Sequence, residues 1–203
     1  MDSINSVTFE WVRAGPAYTL DGPHVYHSGC LGSYQPAIGG LEMPAGHGKY
    51  FYEIQTSDTR CKVGVCTEDA FLSNVNLGDV ELHAAQPSSS LNSRLSEANC
   101  CLFNCLTCAV EVNGVEVRSL WRLLVPSAGA RFGFLVNTDE GAVQLYVNGE
   151  YQGLIADTAT GFKGKKLRPC IALDAPPTCG AGAEANKSSA SVVPPRKIIA
   201  STA

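Results

Sequence analysis

Apolar and polar positions alternate with a period of two along much of this chain, most clearly from Arg131 to Gly153. Phe132, Phe134 and Val136 form one run, and Val143, Leu145 and Val147 form another. Such alternation sends successive side chains to opposite faces of a half-buried strand. Between the runs lies the turn cluster Asn137-Thr138-Asp139-Glu140-Gly141, and after the second comes Asn148-Gly149, the strongest short hairpin signal. The stretch predicts strand, turn, strand, turn, strand: an antiparallel meander.

The same reading carries through the rest. Val7 to Val12 predicts a first strand, stopped by Ala14-Gly15-Pro16. Tyr18 to Leu20 and His24 to His27 flank the turn Asp21-Gly22-Pro23. Residues 28–36 read as a loop, followed by a Gly-rich passage to Gly48. Lys49 to Gln55 is a strand with Tyr50, Tyr52 and Ile54 on one face, and Cys61 to Cys66 is the next, with Cys61, Val63 and Val65 turned inward. From Thr67 to Ser90 the pattern fades. Glu68 to Leu72 reads as a short helical turn and Asn74 to Ser90 as a long loop, of a length that in compact domains usually serves function. Asn99 to Val112, Trp121 to Val125 and Leu167 to Leu173 are further strands, with Asn113-Gly114 as another hairpin turn. No segment keeps a 3.6-residue period long enough for a substantial helix, so the predicted class is an all-β antiparallel sandwich with few or no helices. From Ala175 the sequence turns small and polar, predicting a flexible loop or tail over 175–203. Within it, Ala190 to Val193 is a candidate closing strand that Pro194-Pro195 would end.

Composition narrows the function classes. The 203 residues carry a net charge of −4, which gives no basic footprint for nucleic acid. No apolar run approaches the roughly 20 residues of a membrane span. The N-terminus shows no positive n-region and no long apolar stretch, so no secretory signal is read. Nine cysteines, an odd count without such a signal, point to reduced thiols and a cytoplasmic or nuclear setting.

The cysteines invite one chemical hypothesis. Cys100, Cys101, Cys105 and Cys108 resemble a zinc knuckle in spacing. On one continuous strand, however, Cys101 and Cys105 share a face while Cys100 and Cys108 share the other; only a hairpin near 104–107 would gather them. Buried thiols acting as small apolar groups are the simpler reading, so no metal and no cofactor is assigned. His24, His27, His47 and His83 lie on loops or strand ends with no catalytic spacing to a cysteine, and are read as surface or loop histidines. Gly39-Gly40 and Gly46-His47-Gly48 lack the strand-to-helix context of a phosphate loop. Glu68-Asp69 reads as a solvated helix start. No catalytic residues are assigned.

Four segments in order carry a family resemblance. Gly48 to Ile54, Val63-Gly64-Val65-Cys66-Thr67, Phe132-Gly133 with Asp139-Glu140-Gly141 and Tyr146-Val147-Asn148-Gly149, and Arg168 to Leu173 resemble the successive motifs of a SPRY domain, in the small single-domain form. The resemblance implies one bent β-sandwich over about residues 4–174, not an enzyme, that binds a protein or peptide through loops at one edge. In the SOCS-box SPRY proteins an Arg and a Pro after the second early strand help hold an Asn-containing peptide; here that place is His27-Ser28-Gly29-Cys30 and the pair is absent. The polar position after the Val-Gly-Val motif is retained as Thr67. The Trp that ends the last motif strand is replaced by Asp174-Ala175, and no RING, coiled-coil or SOCS-box segment is seen. The implied partner-binding patch is Tyr26, His27, Ser28, Tyr34, Thr67, Asn74, Asn76 and Asp174. The expected protein is a monomer that docks a partner's peptide or loop, without nucleic acid or membrane. The alternative is a lectin-like sandwich binding carbohydrate or a small molecule.

Overall fold

The computed structural model describes residues 3–27, 34–71, 74–80, 82, 100–120, 126–174 and 188–199. They form fifteen strands: β1 (Ser3–Ser6), β2 (Trp11–Ala14), β3 (Tyr18–Asp21), β4 (His24–His27), β5 (Gln35–Gly39), β6 (Lys49–Thr56), β7 (Cys61–Thr67), β8 (Cys100–Asn104), β9 (Ala109–Val112), β10 (Val115–Ser119), β11 (Arg131–Asn137), β12 (Ala142–Val147), β13 (Glu150–Ala156), β14 (Leu167–Leu173) and β15 (Ser189–Ile199). Two 3-10 turns, at residues 77–79 and 158–160, are the only helical pieces among the described residues. No helix there is long and apolar enough to cross a membrane.

The strands make two antiparallel sheets. The larger runs β13-β12-β11-β6-β15-β4-β3, with β1 also paired to β15; the smaller runs β10-β9-β8-β7-β14-β5-β2. Their inner faces share one core. Tyr52 stacks on Phe134 within the larger sheet at 5.2 Å, and Phe132 meets Phe103 of the smaller sheet at 5.9 Å. The Tyr52 hydroxyl donates to the Gly64 carbonyl at 2.8 Å, which satisfies a buried polar group and ties one sheet to the other. Gly64 itself has no room for a side chain, since a Cβ there would lie 2.1 Å from the Cys101 carbonyl oxygen.

The predicted meander is present, with Phe132, Phe134, Val136, Val143, Leu145 and Val147 all buried. Tyr50, Tyr52 and Ile54 turn inward, as do Cys61, Val63 and Val65. Other expectations are corrected. Of the strand expected over Val7 to Val12 only Trp11 and Val12 are in one, at the start of β2 in the smaller sheet; β1 precedes it in the larger sheet, and residues 7–10 carry the chain across. There Val7 donates to the Pro195 carbonyl and Glu10 accepts from the Gly40 amide. The loop and Gly-rich passage from 28 to 48 conceals β5, an interior strand; all five of its residues are buried, so it shows no alternation to read.

The closing strand is also longer than Ala190 to Val193. β15 runs on to Ile199 between β6 and β4, well inside the larger sheet. Pro194 and Pro195 sit in a register shift between Val193 and Arg196, where the ladder bypasses their missing N–H groups. Residues 188–199 therefore belong to the sandwich rather than to a tail. The expected strand at Trp121 to Val125, most of the predicted long loop, and residues 175–187 lie outside the described residues.

Candidate functional site

One end of the sandwich, where residues 57–60 connect β6 to β7, gathers charged and aromatic side chains from separate segments. β7 begins there, β14 ends there, and Leu173 pairs with Cys61. Beyond that pair, Asp174 donates its N–H to the Arg60 carbonyl at 2.9 Å, and Tyr34 donates to the Leu173 carbonyl at 2.8 Å. The Tyr34 backbone is left-handed, φ 55, which turns the chain sharply into β5. The Arg60 guanidinium sits 2.7 Å from the Asp58 carboxylate and 4.0 Å from that of Asp174.

These groups perturb one another. Burial, and after it the Asp174 carboxylate, push the Tyr34 hydroxyl up to about 12. Burial alone would raise the Asp58 carboxyl, but hydrogen bonds from Arg60 outweigh it and hold the group below its ordinary value. The Asp58 hydrogen bond in turn holds the Arg60 guanidinium above its own. At neutral pH the rim is thus a cation between two carboxylates beside a neutral phenol.

Beneath it lies a fully buried ion pair. Lys62 of β7 meets Glu111 of β9 at 2.6 Å, with side chains 2% and 5% exposed. The Asn104 side-chain amide donates to the other Glu111 oxygen at 2.9 Å, while its own oxygen accepts from the Leu106 and Thr107 amides. The Lys62 ammonium lies over the Tyr34 ring, 5.3 Å from its centre, so one aromatic side chain joins the rim to the pair below.

The sequence-predicted patch is divided by this geometry. Tyr34 and Asp174 come together. Thr67 is buried at the opposite end of β7, six residues from Cys61 and so roughly 20 Å along the strand. Its neighbours there are Glu68, Arg168, Lys166 and Glu42, which form a separate surface network of ion pairs. Tyr26 stacks with His24 at 6.2 Å on β4. His27 is not a surface histidine: it is buried, with its ring edge-on to Tyr18 at 5.2 Å.

Asn74 and Asn76 lie in the segment after β7, where Asn76 caps the 3-10 turn by accepting from the Gly78 amide at 3.0 Å. Arg13 donates to the Phe71 and Val75 carbonyls and Gln35 to that of Gly78, fastening this segment to the smaller sheet. Phe71, Leu77 and Leu82 pack there on Ile38, Cys66, Leu102 and Cys170 in a second small core. Ser28 lies outside the described residues. Asp58, Arg60, Lys62, Asn104 and Glu111 were not read from the sequence as site residues. The available signal was a charge in the middle of an apolar strand, in Cys-Lys-Val-Gly-Val and in Ala-Val-Glu-Val.

The seven described cysteines are free thiols and all are buried. A tight turn at 105–108 separates β8 from β9, so Cys108 joins Cys101 and Cys105 in the main core, whereas Cys100 packs on the other face with Cys66 and Cys170. Cys101 and Cys105 thus share the core as expected for a continuous strand, while Cys100 and Cys108 do not share the other face. Burial pushes the Cys100 thiol up to about 12 and raises those of Cys101 and Cys108 as well. Among the described residues no three His, Cys, Asp or Glu side chains are placed to share a metal ion.

No family model and no curated protein matches the chain. Solved structures do. The SPRY domain of human HERC1 is similar at a TM-score of 0.54 and 14% identity, covering 85% of this chain and 88% of that one. The TRIM65 PSpry domain is similar at 0.55 and 18%, covering 93% and 90%. A human SPRY domain is similar at 0.53 and 10%, covering 92% and 96%. With two antiparallel sheets in this order, and the motif strands β6, β7, β11, β12 and β14 at their centres, the chain has the SPRY-type β-sandwich fold.

Proposed function

We propose that this protein is a non-catalytic recognition module whose rim, formed by Tyr34, Asp58, Arg60 and Asp174, docks an extended peptide or loop of a protein partner. The observation that carries this reading is the convergence of those four side chains, from three separate segments, on the end of a rigid sandwich. The rim carries both donors and acceptors. A guanidinium between two carboxylates meets partner carbonyls and carboxylates with its N–H groups, while Asp58 and Asp174 meet amides. The buried Lys62–Glu111 pair under Tyr34 fixes the floor, so little rearrangement accompanies docking. The likeness to SPRY domains adds support by analogy of fold. Seven buried thiols suit a reducing compartment.

Affinity capture from cell extract tests the reading. The intact chain is compared with an Arg60→Glu, Asp174→Arg variant and with a Glu68→Arg variant at the opposite end. A partner lost only by the rim variant supports the proposal. A partner held equally by all three, or lost only with Glu68→Arg, overturns it.

A further inference from the structure

Two buried thiols meet beneath the rim. β7 and β8 run antiparallel with Lys62 opposite Asn104 and Val63 opposite Phe103, so the next pair toward the rim is Cys61 with Cys105. The Cys105 N–H donates to the Cys61 carbonyl at 2.9 Å, which extends the ladder to that pair. Both side chains enter the main core, 1% and 2% exposed, and their thiols are hydrogen-bonded to each other. Hydrogen-bonded antiparallel partners hold their Cα atoms about 5.5 Å apart, a spacing common in disulfides.

The other thiol contacts suit a bond less well. The Cys66 and Cys170 thiols are also hydrogen-bonded. Register, however, sets Cys66 opposite Arg168 and Cys170 opposite Gly64, a diagonal whose Cα atoms lie about 7–8 Å apart, past the usual disulfide range. Cys66 faces Cys100 across β7 and β8, but its thiol is engaged with Cys170 instead.

Cys61 also holds the rim. It follows Arg60 directly, and its thiol donates to the Asp58 carbonyl at 3.5 Å. The Cys105 thiol has the Phe103 carbonyl at 3.8 Å. Joining the two sulfurs removes the proton that Cys61 gives to the turn bearing Asp58 and Arg60.

We propose that Cys61 and Cys105 are a redox-set cross-link. A chain that folds in the presence of a small disulfide such as glutathione disulfide joins them, and a chain that folds in a reducing medium keeps both thiols. The thiolate of one cysteine attacks a glutathione sulfur, the glutathione S–S bond breaks, and one glutathione leaves. The second cysteine then attacks the mixed disulfide, the protein S–S bond forms, and the second glutathione leaves. The two thiol protons pass to the two glutathiones, which are reduced as the protein sulfurs are oxidised. Once the core has closed, burial seals the pair in whichever state it folded. The linked form leaves the turn at 58–60 with one hold fewer. Any effect of that on partner docking rests on the rim reading.

The full chain, reduced and unfolded in urea, is refolded by dilution into glutathione buffer rich in the disulfide or into dithiothreitol. Native circular dichroism is confirmed, free thiols are blocked with iodoacetamide, and linked peptides are mapped by mass spectrometry. The expected outcome is a Cys61–Cys105 peptide pair from the glutathione buffer and none from dithiothreitol. Amide exchange at residues 58–60 should be faster in the linked form than in the thiol form. No protein disulfide, a bond from either cysteine to any other, or a Cys66–Cys170 or Cys66–Cys100 bond with Cys61 and Cys105 still free overturns the proposal. Unchanged exchange at 58–60 overturns its connection to the rim, and rapid linkage of already folded, reduced protein overturns the sealing. None of these readouts involves a partner, so the rim reading stands or falls separately.

Discussion

Lys62 of β7 and Glu111 of β9 meet at 2.6 Å across the intervening strand β8 of the smaller sheet, both almost wholly removed from water. A buried pair is a weak source of net stability, because desolvation offsets most of the attraction, yet breaking it is costly. Glu111→Gln leaves an uncompensated ammonium beneath Tyr34 and is expected to lower stability by about 3–5 kcal/mol in urea unfolding. The double variant Lys62→Met, Glu111→Leu should recover most of that loss. Equal losses in the single and double variants would show that the pair itself stabilises the fold.

Asp58 gives the rim a pH signature. Its carboxyl is held below the ordinary value in the folded protein, since the Arg60 hydrogen bonds outweigh burial. The sign follows: Asp58 contributes stability at pH above its unfolded value, about 4, and that contribution fades as pH falls through the lower folded value. Unfolding measured across pH should show the intact protein more stable than Asp58→Asn at pH 7, with the gap closing in acid. A gap that stays constant or widens in acid would remove Asp58 from the network.

Gly64 is needed for its size. A Cβ would lie 2.1 Å from the Cys101 carbonyl oxygen and 3.0 Å from the Leu102 Cα, both backbone atoms of β8 that cannot step aside. Gly64→Ala should therefore part β7 from β8 and leave little soluble folded protein. Recovery of a native-like variant with unchanged urea midpoint would contradict the packing described.

The thiols should be quiet. Burial raises those of Cys100, Cys101 and Cys108, and thiolate is the reactive form. The seven described cysteines should react with a thiol reagent such as DTNB only after unfolding, in step with loss of structure. Fast modification of any of the seven in the native protein, mapped by mass spectrometry, would contradict this.

Much of the larger sheet was legible because its central strands are buried mainly on one face. Strands β6, β11 and β12 alternate visibly, and Asn148-Gly149 marks the turn into β13. β5 was hidden by being buried on both faces, and β15 by two prolines that a register shift accommodates. Of the residues named from the sequence for the candidate site, Tyr34 and Asp174 lie together at one strand end, whereas Thr67 stands at the far end of the strand that Leu173 joins at Cys61. Proximity in motif order gave no measure of which strand end a residue occupies. Arg60 and Asp58 went unread because a short charged turn looks the same whether it faces solvent or organises a rim. The contact of the Phe51, Tyr146 and Tyr151 rings was missed for a related reason. Phe51, Tyr146 and Tyr151 are spread over the sequence and meet only through strand register.

The central claim is that partners dock on the rim, and site-directed photo-crosslinking tests it most directly. Benzoylphenylalanine is placed in the full chain at position 59, between Asp58 and Arg60, and, separately, at position 69 near the opposite end. Irradiation in cell extract should give a discrete protein adduct from position 59 and none from position 69. An adduct from position 69 alone, or from neither position, would contradict the account.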